Sequence, residues 1–554
     1  MDSSQSCLQM PLCRGVSIEE LSITQLQCHL AKGSFTSRDL TQCYLRRIEL
    51  VNPRIKAVIE TNPDALKIAD ELDAERERGM VRSKIHGIPF LVKDNIATRD
   101  SMQTTAGCAA LLGTIVPNDA TVVALLRAAG GVLLGKANLS EWASMRASYY
   151  SEAYSSRGGQ NRNPYNLAEH PGGSSSGSAS ALAANMCAFS IGTETDGSVI
   201  FPADRNAVVG IKPTVGLTST LGVIPEAPSF DTVGTFGRSV EDATIALDII
   251  ADRSSIPDSH ADAYEFSVAQ IDTTREYTSW LATKDVLKGA RFGLPSKRIW
   301  EKARSSESHK AEYLALIELI KQIEEAGAEV FDVDFPSAEE IISPDGWNWE
   351  YAAGVSGSQL SEFEVVKVEF YRSLSSYLST LENNKAKILT LEDVVAYNIK
   401  HTGKEGGVPG THPAWPTGQD NFDRCIASKD DGEAVYLEAL EYNLRKSRDE
   451  GIDAAMMHGK ELDGLLVPVQ AEGGAACSVA AKAGYPMITV PVGVNDNGVP
   501  FGIGIIQQAW QEAKLVKYGS AIEDLIRHRP QPKFLNLDAD NYTYVGNPPD
   551  ATTY

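Results

Sequence analysis

The chain has 554 residues, of which 43% are hydrophobic and 22% charged, the composition of a globular protein that can bury a sizeable core. Its 51 basic and 73 acidic residues give a formal net charge of −22 at pH 7, which argues against nucleic acid or an anionic membrane surface as a partner. A neutral or cationic small molecule is the favoured ligand.

Three features predict a cytoplasmic protein that binds no metal. The amino-terminal stretch MDSSQSCLQMPLCRGV has no basic segment followed by an apolar core, so we expect no secretory signal. The most apolar run, TVVALLRAAGGVLLG, carries Arg127 in its middle and is too short to span a bilayer. The eight cysteines form no CxxC pair and no Cys/His cluster at metal-ligand spacing, which favours free thiols in a reducing compartment.

The predicted elements indicate an α/β protein, and we expect a single domain over residues 17–535. Residues 17–80 should be helical, because SIEELSITQLQCHLAKG carries apolar residues three and four positions apart behind a serine cap. Between 86 and 250, short apolar strands such as IPFLVK and AFSIGT alternate with Ala- and Leu-rich helical stretches. This alternation is typical of a sheet covered by helices.

The second half of the chain has a different pattern. Residues 255–460 contain longer, charged helical runs such as HKAEYLALIELIKQIEEAG, and we predict a mostly helical region that covers the sheet. Residues 461–535 return to strands, ELDGLLVPVQ and GYPMITVPVG, which we expect to rejoin the first sheet.

Two stretches of small residues carry the chemical signal: HPGGSSSGS at 170–178 and GTETDGSVIFPAD at 192–204. A flexible linker is not favoured, because the first stretch leads into SASALAANMCA, an Ala-rich run whose serines can cap a helix. Small residues at a helix N-terminus allow the backbone to approach an anionic or oxyanionic group closely. Elsewhere, residues 130–136 have the GxxxxGK spacing of a phosphate-binding loop, but Ala137 follows where Ser or Thr would hold magnesium, so nucleotide binding is not favoured.

The first stretch also contains GxSxG, the nucleophile elbow of α/β-hydrolases, with Ser175 as the would-be nucleophile. An elbow directly follows an apolar strand, whereas the preceding NPYNLAEHP is polar and contains two prolines. The histidines that could serve as base lie in no suggestive context: His401, His412, His458 and His528. An esterase that uses Ser175 therefore stays an alternative.

Taken together, the motifs resemble those of the amidase signature family. The resemblance depends on GGSSSGSASAL at 172–182, GTETDGS at 192–198 and GIPFLVKDNI at 87–96, with VLLGKANLSEWA and VVGIKPTVGLTS beside them. It extends from about residue 17 to about residue 535. The fold that it implies is a large twisted mixed sheet with helices on both faces.

The resemblance implies a Ser–cisSer–Lys triad, with Ser198 as nucleophile, Ser174 as bridging serine and Lys93 as base. The Gly173–Ser174 peptide bond is then expected to be cis, and no metal or cofactor is required. Lys93 directly follows the apolar strand IPFLV, so we expect burial to lower its pKa. The expected oxyanion hole consists of the backbone N–H groups of Thr195, Asp196, Gly197 and Ser198.

Apolar and aromatic residues near the triad in sequence suggest an apolar acyl pocket. The sequence departs from the family pattern at residue 200. Ile200 stands where the family commonly has Arg, which removes a charge beside the oxyanion loop. Glu194 and Asp196 are expected to orient that loop by accepting backbone hydrogen bonds. The expected pocket residues are Trp142, Met145, Tyr149 and Tyr150, with Phe201 adding apolar surface.

The function that follows is hydrolysis of a carboxylic amide through an acyl-serine intermediate, giving a carboxylic acid and ammonia or an amine. Two alternatives share the scaffold: the glutaminase subunit of a tRNA-dependent amidotransferase, and a catalytically silent binding protein. The intact Lys93, Ser174 and Ser198 argue against the silent protein. The predicted partner is a small-molecule amide, without nucleic acid or membrane, and a homodimer is possible.

Overall fold

The computed structural model describes residues 8–252, 276–353 and 359–537. Cys7 and the first part of the predicted covering region, 255–275, lie outside these ranges. The seven cysteines within the ranges form no disulfide. In this part of the chain no helix is long and apolar enough to cross a membrane.

One mixed sheet of eleven strands forms the centre of the described fold. Numbered in chain order together with two short hairpins, the strands are β1 Val58–Thr61, β2 Pro89–Lys93, β3 Val132–Ala137, β4 Tyr154–Ser155, β5 Gly159–Gln160, β6 Phe189–Glu194, β7 Val209–Lys212, β8 Thr232–Gly237, β9 Arg291–Pro295, β10 Glu329–Val333, β11 Met457–His458, β12 Lys460–Glu461, β13 Gly464–Pro468, β14 Met487–Val494 and β15 Pro500–Ile506. Across the central sheet the order is β1-β3-β2-β6-β8-β7-β14-β15-β13-β9-β10, while β4 pairs with β5 and β11 with β12.

Helices surround this sheet. In chain order, the α-helices of the described residues are α1 Ile23–Ala31, α2 Ser37–Ile55, α3 Ala65–Glu77, α4 Thr121–Ala128, α5 Ser176–Ala183, α6 Ile200–Arg205, α7 Val240–Ile250, α8 Glu301–Ser305, α9 Lys310–Glu325, α10 Ala338–Ile341, α11 Glu362–Ser379, α12 Leu391–Lys400, α13 Thr402–Glu405, α14 Asp420–Ala427, α15 Glu433–Ser447, α16 Asp453–Met456, α17 Ala475–Ala483 and α18 Glu512–Ile526. The side chains of Ser22 and Thr36 begin α1 and α2, because each accepts a hydrogen bond from an otherwise unpaired backbone N–H of the first turn.

The α/β class and the large mixed sheet are confirmed. Strands β2, β3, β6 and β8 are buried at every position, which requires cover on both faces of the sheet. The final strands β13, β14 and β15 rejoin the first sheet. The sequence pattern did not predict β9 and β10, which lie within the mostly helical region and add two parallel strands beside β13.

Parallel pairing of β2 with β6 brings residues of the candidate site together at one edge of the sheet. Phe90 lies opposite Phe189 in this pair, and their rings stack with centroids 5.1 Å apart. Because the carboxyl ends of parallel strands meet at one edge of a sheet, Lys93 at the end of β2 lies beside Thr193 near the end of β6.

Apart from Leu182, helix α5 consists of small residues, SGSASALA, and all eight residues are buried. It packs against strands β2, β3, β6 and β8. A Cβ atom on Gly177 would lie 2.2 Å from the carbonyl oxygen of Ala57 and 2.4 Å from the backbone nitrogen of Asn138. The small side chains therefore allow the helix backbone to lie directly against neighbouring backbone.

Gly177→Ala is expected to destabilise the protein by about 1–3 kcal/mol, although alanine is the better helix former. The gain in helix propensity is at most about 1 kcal/mol. The new methyl group overlaps backbone atoms that cannot move without shifting the sheet. The midpoint of urea unfolding measures the change. Gly403→Ala is the matched control, because Gly403 lies in helix α13 with open space around it. Equal midpoints for the two variants would contradict the packing argument.

Candidate active site

A continuous chain of hydrogen bonds joins Lys93, Ser174 and Ser198. Lys93 Nζ donates to Ser174 Oγ at 2.8 Å, and Ser174 Oγ donates to Ser198 Oγ at 2.8 Å. Lys93 is fully buried, whereas Ser198 is 7% exposed and lies on the wall of a cavity. The Gly173–Ser174 peptide bond is cis, as expected from the resemblance. The structure therefore brings the three predicted side chains into one line.

The Lys93 amine is surrounded by acceptors from the neighbouring strand. It donates to the carbonyl oxygen of Thr193 at 3.2 Å and to Thr193 Oγ1 at 2.8 Å, and Asn95 Nδ2 donates to the same hydroxyl oxygen at 2.9 Å. Burial lowers the pKa of Lys93 to about 7, because desolvation of the ammonium outweighs the attraction of the acids around it. Those acids are Glu226, Asp231, Glu194 and Glu152. A large share of the amine is therefore neutral near pH 7.

Two of these acids share one hydroxyl group. Thr195 Oγ1 lies 2.9 Å from a carboxylate oxygen of Glu226 and 2.6 Å from one of Asp231, but a hydroxyl has a single proton to donate. Asp231 also accepts from the backbone N–H groups of Glu226 and Ala227. Burial, together with the charge of Asp231, raises the pKa of Glu226 to about 8. Burial raises the pKa of Asp231 as well, so the pair resists full ionisation near pH 7.

The loop 195–198 follows β6 and lines the cavity. The backbone N–H groups of its last three residues donate to no other group within the described parts of the chain. Gly197 has a φ of +75°, a left-handed conformation that side-chain-bearing residues rarely adopt. Behind the loop, the Glu194 carboxylate accepts from the N–H groups of Val199 at 2.7 Å and Ile200 at 3.0 Å. Glu194 thus orients the loop in the way the sequence analysis expects.

Asp196 was expected to accept backbone hydrogen bonds, but its partners are side chains from the mostly helical region, 255–460. Trp347 Nε1 donates to Asp196 Oδ2 at 2.7 Å. Glu362, the first residue of α11, is 1% exposed, and neither of its carboxyl oxygens has a donor. Burial and the nearby charge of Asp196 raise the pKa of Glu362 well above its usual value, so Glu362 can donate its proton to Asp196.

Ser175 has a different environment from Ser198. Its Oγ donates to the carbonyl oxygen of Thr193 at 2.9 Å and accepts from the Thr193 N–H at 3.2 Å, and the residue is fully buried. Between β5 and Ser175 the structure has no strand, only a one-residue bridge at Asn166. Ser175 therefore joins α5 to β6 and lacks the strand that a nucleophile elbow requires.

A cavity of about 160 Å³ lies at Ser198. Ser174, the loop 195–198 and Glu226 are among its lining residues. Its aromatic lining comes from three separate parts of the chain: Tyr150, Phe201, Trp347 and Trp349. The Ser198 hydroxyl and the unpaired N–H groups of the loop therefore border a mostly apolar pocket.

Of the pocket residues expected from the sequence, Tyr150 lies on the cavity wall and the other three do not. Trp142 and Met145 are 2% and 0% exposed within the core, and the Tyr149 backbone donates to Thr417. The physical reason is a turn with positive φ at residues 142–144, which puts Ala143 and Ser144 on the wall. The Trp142 ring instead packs edge-on against Phe422.

Ile200 is also placed inside the core rather than on the cavity wall. It is fully buried at the start of α6, and only its backbone N–H contacts Glu194. The sequence analysis missed several contributors to the site: Thr193, Glu226, Glu362, Trp347 and Trp349. Only Thr193 had a usable signal, because it lies within the GTETDGS stretch near the end of a strand.

Comparison with known proteins agrees with this geometry. Residues 39–412 match the family model described as Amidase. A putative amidase of Schizosaccharomyces pombe is 49% identical, with 97% of this chain and 91% of the relative covered. A glutamyl-tRNA(Gln) amidotransferase subunit of Acinetobacter baumannii is 31% identical, with coverage of 90% and 94%. The X-ray structure of native peptide amidase from Stenotrophomonas maltophilia has a TM-score of 0.78 at 37% identity, with coverage of 93% and 99%.

The fold and these matches define a hydrolase that acts on amides. The chain belongs to the Amidase family, the amidase signature family that its sequence motifs resemble.

Thr193→Val should lower the pKa of Lys93 by about one pH unit, equivalent to about 1.4 kcal/mol, because the ammonium loses an acceptor while the shape of the side chain is kept. The chemical shift of the Lys93 Cε, followed by NMR in protein labelled with ¹³C-lysine and assigned with Lys93→Arg, gives this pKa. Thr193→Ser keeps the hydroxyl and is the control. An unchanged pKa in Thr193→Val would show that the hydroxyl does not stabilise the ammonium.

Proposed function

We propose that the protein hydrolyses a carboxylic amide through an acyl-serine intermediate, with Ser198 as nucleophile, Ser174 as bridging serine and Lys93 as base. The observation that carries this proposal is the line of two 2.8 Å hydrogen bonds from the Lys93 amine through Ser174 to Ser198. Only one end of this line, Ser198, is a cavity residue adjacent to unpaired backbone N–H groups. A nucleophile, a proton path and an oxyanion site therefore meet at one point.

The neutral Lys93 amine has two N–H bonds and one lone pair. Three oxygens surround the amine: the carbonyl and hydroxyl oxygens of Thr193 and the hydroxyl oxygen of Ser174. The two oxygens of Thr193 can accept hydrogen bonds from both N–H groups, so the lone pair is directed at Ser174. The hydroxyl of Ser174 can then donate to Lys93 and accept from Ser198. As Ser198 Oγ bonds to the amide carbon, its proton passes to Ser174, and the proton of Ser174 passes to Lys93.

The negative charge of the tetrahedral intermediate requires donors. The backbone N–H groups of Asp196, Gly197 and Ser198 supply them in this proposal, since they have no partner in the described structure and Gly197 permits the bend that they need. The proton on Lys93 then returns through Ser174 to the amide nitrogen, and the C–N bond breaks. Water hydrolyses the Ser198 ester by the same relay, which releases the carboxylic acid and restores the serine.

The cavity supports an amide whose acyl side carries an apolar or aromatic group. Trp347 and Trp349 form part of its wall, with ring centroids 5.7 Å apart. At about 160 Å³, the cavity is smaller than the roughly 300 Å³ at which pockets for drug-sized ligands begin. The reacting amide and one adjoining group fit, and the remainder of a longer substrate, such as a peptide amide, would extend outward.

The alternatives differ in measurable ways. A glutaminase subunit would hydrolyse glutamine strictly and would co-purify with a second protein chain, whereas the proposed enzyme uses residues of one chain. A panel of peptide amides, other primary amides, anilides, fatty amides, glutamine and esters separates these functions, and a silent binding protein would turn over none of them. The free cysteines fit the cytoplasmic location that we propose.

A fluorophosphonate probe is expected to label Ser198, because attack by this hydroxyl forms the covalent intermediate. Peptide mass mapping identifies the labelled residue. Ser198→Ala should lose the label and at least about a thousandfold in kcat. Ser175→Ala is the matched control and should keep both. A label on Ser175 that persists in Ser198→Ala would contradict the proposal and favour the α/β-hydrolase mechanism.

The value of kcat/KM should rise with pH along a limb with a midpoint near 7, the pKa of Lys93. Below the midpoint the ammonium has no lone pair, and above it the amine can accept a proton, so the sign is an increase with pH. Lys93→Ala and Lys93→Arg should both lose several orders of magnitude, because arginine stays charged at any working pH.

Lys136→Met controls for the loss of a buried lysine. Lys136 is fully buried and donates to Ile96 and Thr104 rather than to the serines. This variant should keep the position of the limb even where its stability falls. Near wild-type turnover in folded Lys93→Arg would exclude Lys93 as the base.

A further inference from the structure

A second cluster of chemically active side chains lies outside the cavity and has no role in the proposed reaction. Cys108, Glu141 and Glu405 are 0%, 2% and 1% exposed, and each offers a ligand atom within 4.8 Å of the others. Cys108 precedes a short helical turn after β2, Glu141 begins another turn after β3, and Glu405 ends α13. The cluster therefore lies where the helical region meets the predicted signature core, 86–250.

The Glu405 carboxylate is the unexplained group in this cluster. Neither of its oxygens has a hydrogen-bond partner in the described structure. The nearest guanidinium, that of Arg146, pairs with the Glu141 carboxylate and donates to the backbone carbonyl oxygen of Glu405, not to its side chain. Burying an unpaired carboxylate costs several kcal/mol, and a cation bound beside it would offset that cost.

The amide of Asn398 adds a fourth possible ligand. Its Oδ1 lies 3.8 Å from Cys108 Sγ, and Asn398 is fully buried. The orientation of this amide is fixed by Gln419, because Asn398 Nδ2 donates to Gln419 Oε1 at 3.1 Å while Gln419 Nε2 donates to backbone carbonyls. The oxygen of Asn398, not its nitrogen, therefore faces the thiol.

The known distances between these atoms are close to those between the ligands of a zinc ion. Zinc bonds of about 2.3 Å to sulfur and about 2.0–2.2 Å to oxygen place neighbouring ligands roughly 3.5 Å apart. The separation of 3.8 Å between Cys108 Sγ and Asn398 Oδ1 is close to this value. The ligand atoms of Cys108, Glu141 and Glu405 lie within 4.8 Å of one another. To bind one zinc ion, the most distant pair would have to approach by about 1 Å, which side-chain rotation can supply.

The charges of the cluster also balance around a divalent ion. A thiolate and two carboxylates carry three negative charges, and Arg146 contributes one positive charge. A divalent cation brings the sum to zero in a place with no access to water. One sulfur and three oxygens in a four-ligand set favour zinc over magnesium or calcium, which prefer six or more oxygens.

We propose that Cys108, Glu141, Asn398 and Glu405 bind a structural zinc ion that joins the helical region to the core of the sheet. Zinc binding releases the thiol proton of Cys108, and four protein ligands leave no open position for catalysis. The cavity at Ser198 is lined by other residues, so the site is separate from the proposed reaction. Sequence spacing does not indicate this site, because its ligands come from three separate parts of the chain: around Cys108, around Glu141, and the consecutive helices α12 and α13 that carry Asn398 and Glu405.

The test is the zinc content of the full chain, produced with zinc in the medium, without a histidine tag, and measured by mass spectrometry of the metal. About one zinc ion per chain is expected in the unaltered protein. Cys108→Ser and Glu405→Gln, both nearly isosteric, should lower the content at least tenfold. Cys425→Ser, which changes another buried cysteine, should leave it unchanged.

Growth with cobalt supplies a spectroscopic readout. A thiolate-to-cobalt charge-transfer absorption is expected in the unaltered protein and in Cys425→Ser, and it should be absent in folded Cys108→Ser. Circular dichroism verifies that each variant is folded. Zinc-free protein, or equal zinc in the unaltered protein and both ligand variants, would overturn the proposal. Neither outcome depends on the result for the serine mechanism, because the two sites share no residue.

Discussion

The buried amine of Lys93 is the constraint on which the site depends. A fully buried ammonium is expensive, and the surrounding acids reduce this cost without removing it, so the pKa of Lys93 settles near 7. The amine can remain there because Thr193 and Ser174 supply three acceptors at hydrogen-bond distance. Parallel pairing of β2 and β6 brings these groups together, so the pattern of the sheet determines the chemistry of the lysine.

Close backbone packing is the second constraint, and it explains the composition of the small-residue stretches. Gly177 lies against the backbone of Ala57 and Asn138, and a Cβ on Gly192 would lie 2.6 Å from Ser175 Oγ. The same close approach that brings α5 onto β6 also brings Ser174 next to Ser198. The glycine and serine residues therefore serve packing and reactivity together, which makes such a run hard to interpret from composition alone.

Strands and helices whose apolar or small residues follow a clear local pattern could be predicted from the sequence. The strand IPFLVK and the Ala-rich helix after GGSSS are encoded by neighbouring residues, and the prediction of the α/β sheet followed from them. Strands β9 and β10 were missed because they lie among charged helical stretches, and β9 joins the sheet by pairing with β13, which is distant in sequence, while β10 pairs with β9. Propensity carries no information about such long-range pairing.

The same distinction applies to the site. Lys93, Ser174 and Ser198 sit in ordered motifs, so the sequence indicated them before any geometry was known. The acyl pocket depends on side-chain direction, and proximity in sequence was misleading: the left-handed turn at 142–144 directs Trp142 into the core. The aromatic residues that line the cavity from the far side, Trp347 and Trp349, lie about 150 residues after Ser198 in a polar stretch.

The helical region is therefore more than a cover. Trp347 donates to Asp196, and the buried Glu362 can add a second donor to the same carboxylate. The hydrogen bond from Trp347 holds the loop whose N–H groups would receive the oxyanion, and a proton on Glu362 would strengthen that hold. Preorganised donors stabilise a developing charge only if they do not have to reorient during the reaction. A change in α11 would then affect the proposed chemistry through the rigidity of the loop, while the line from Lys93 to Ser198 stays intact.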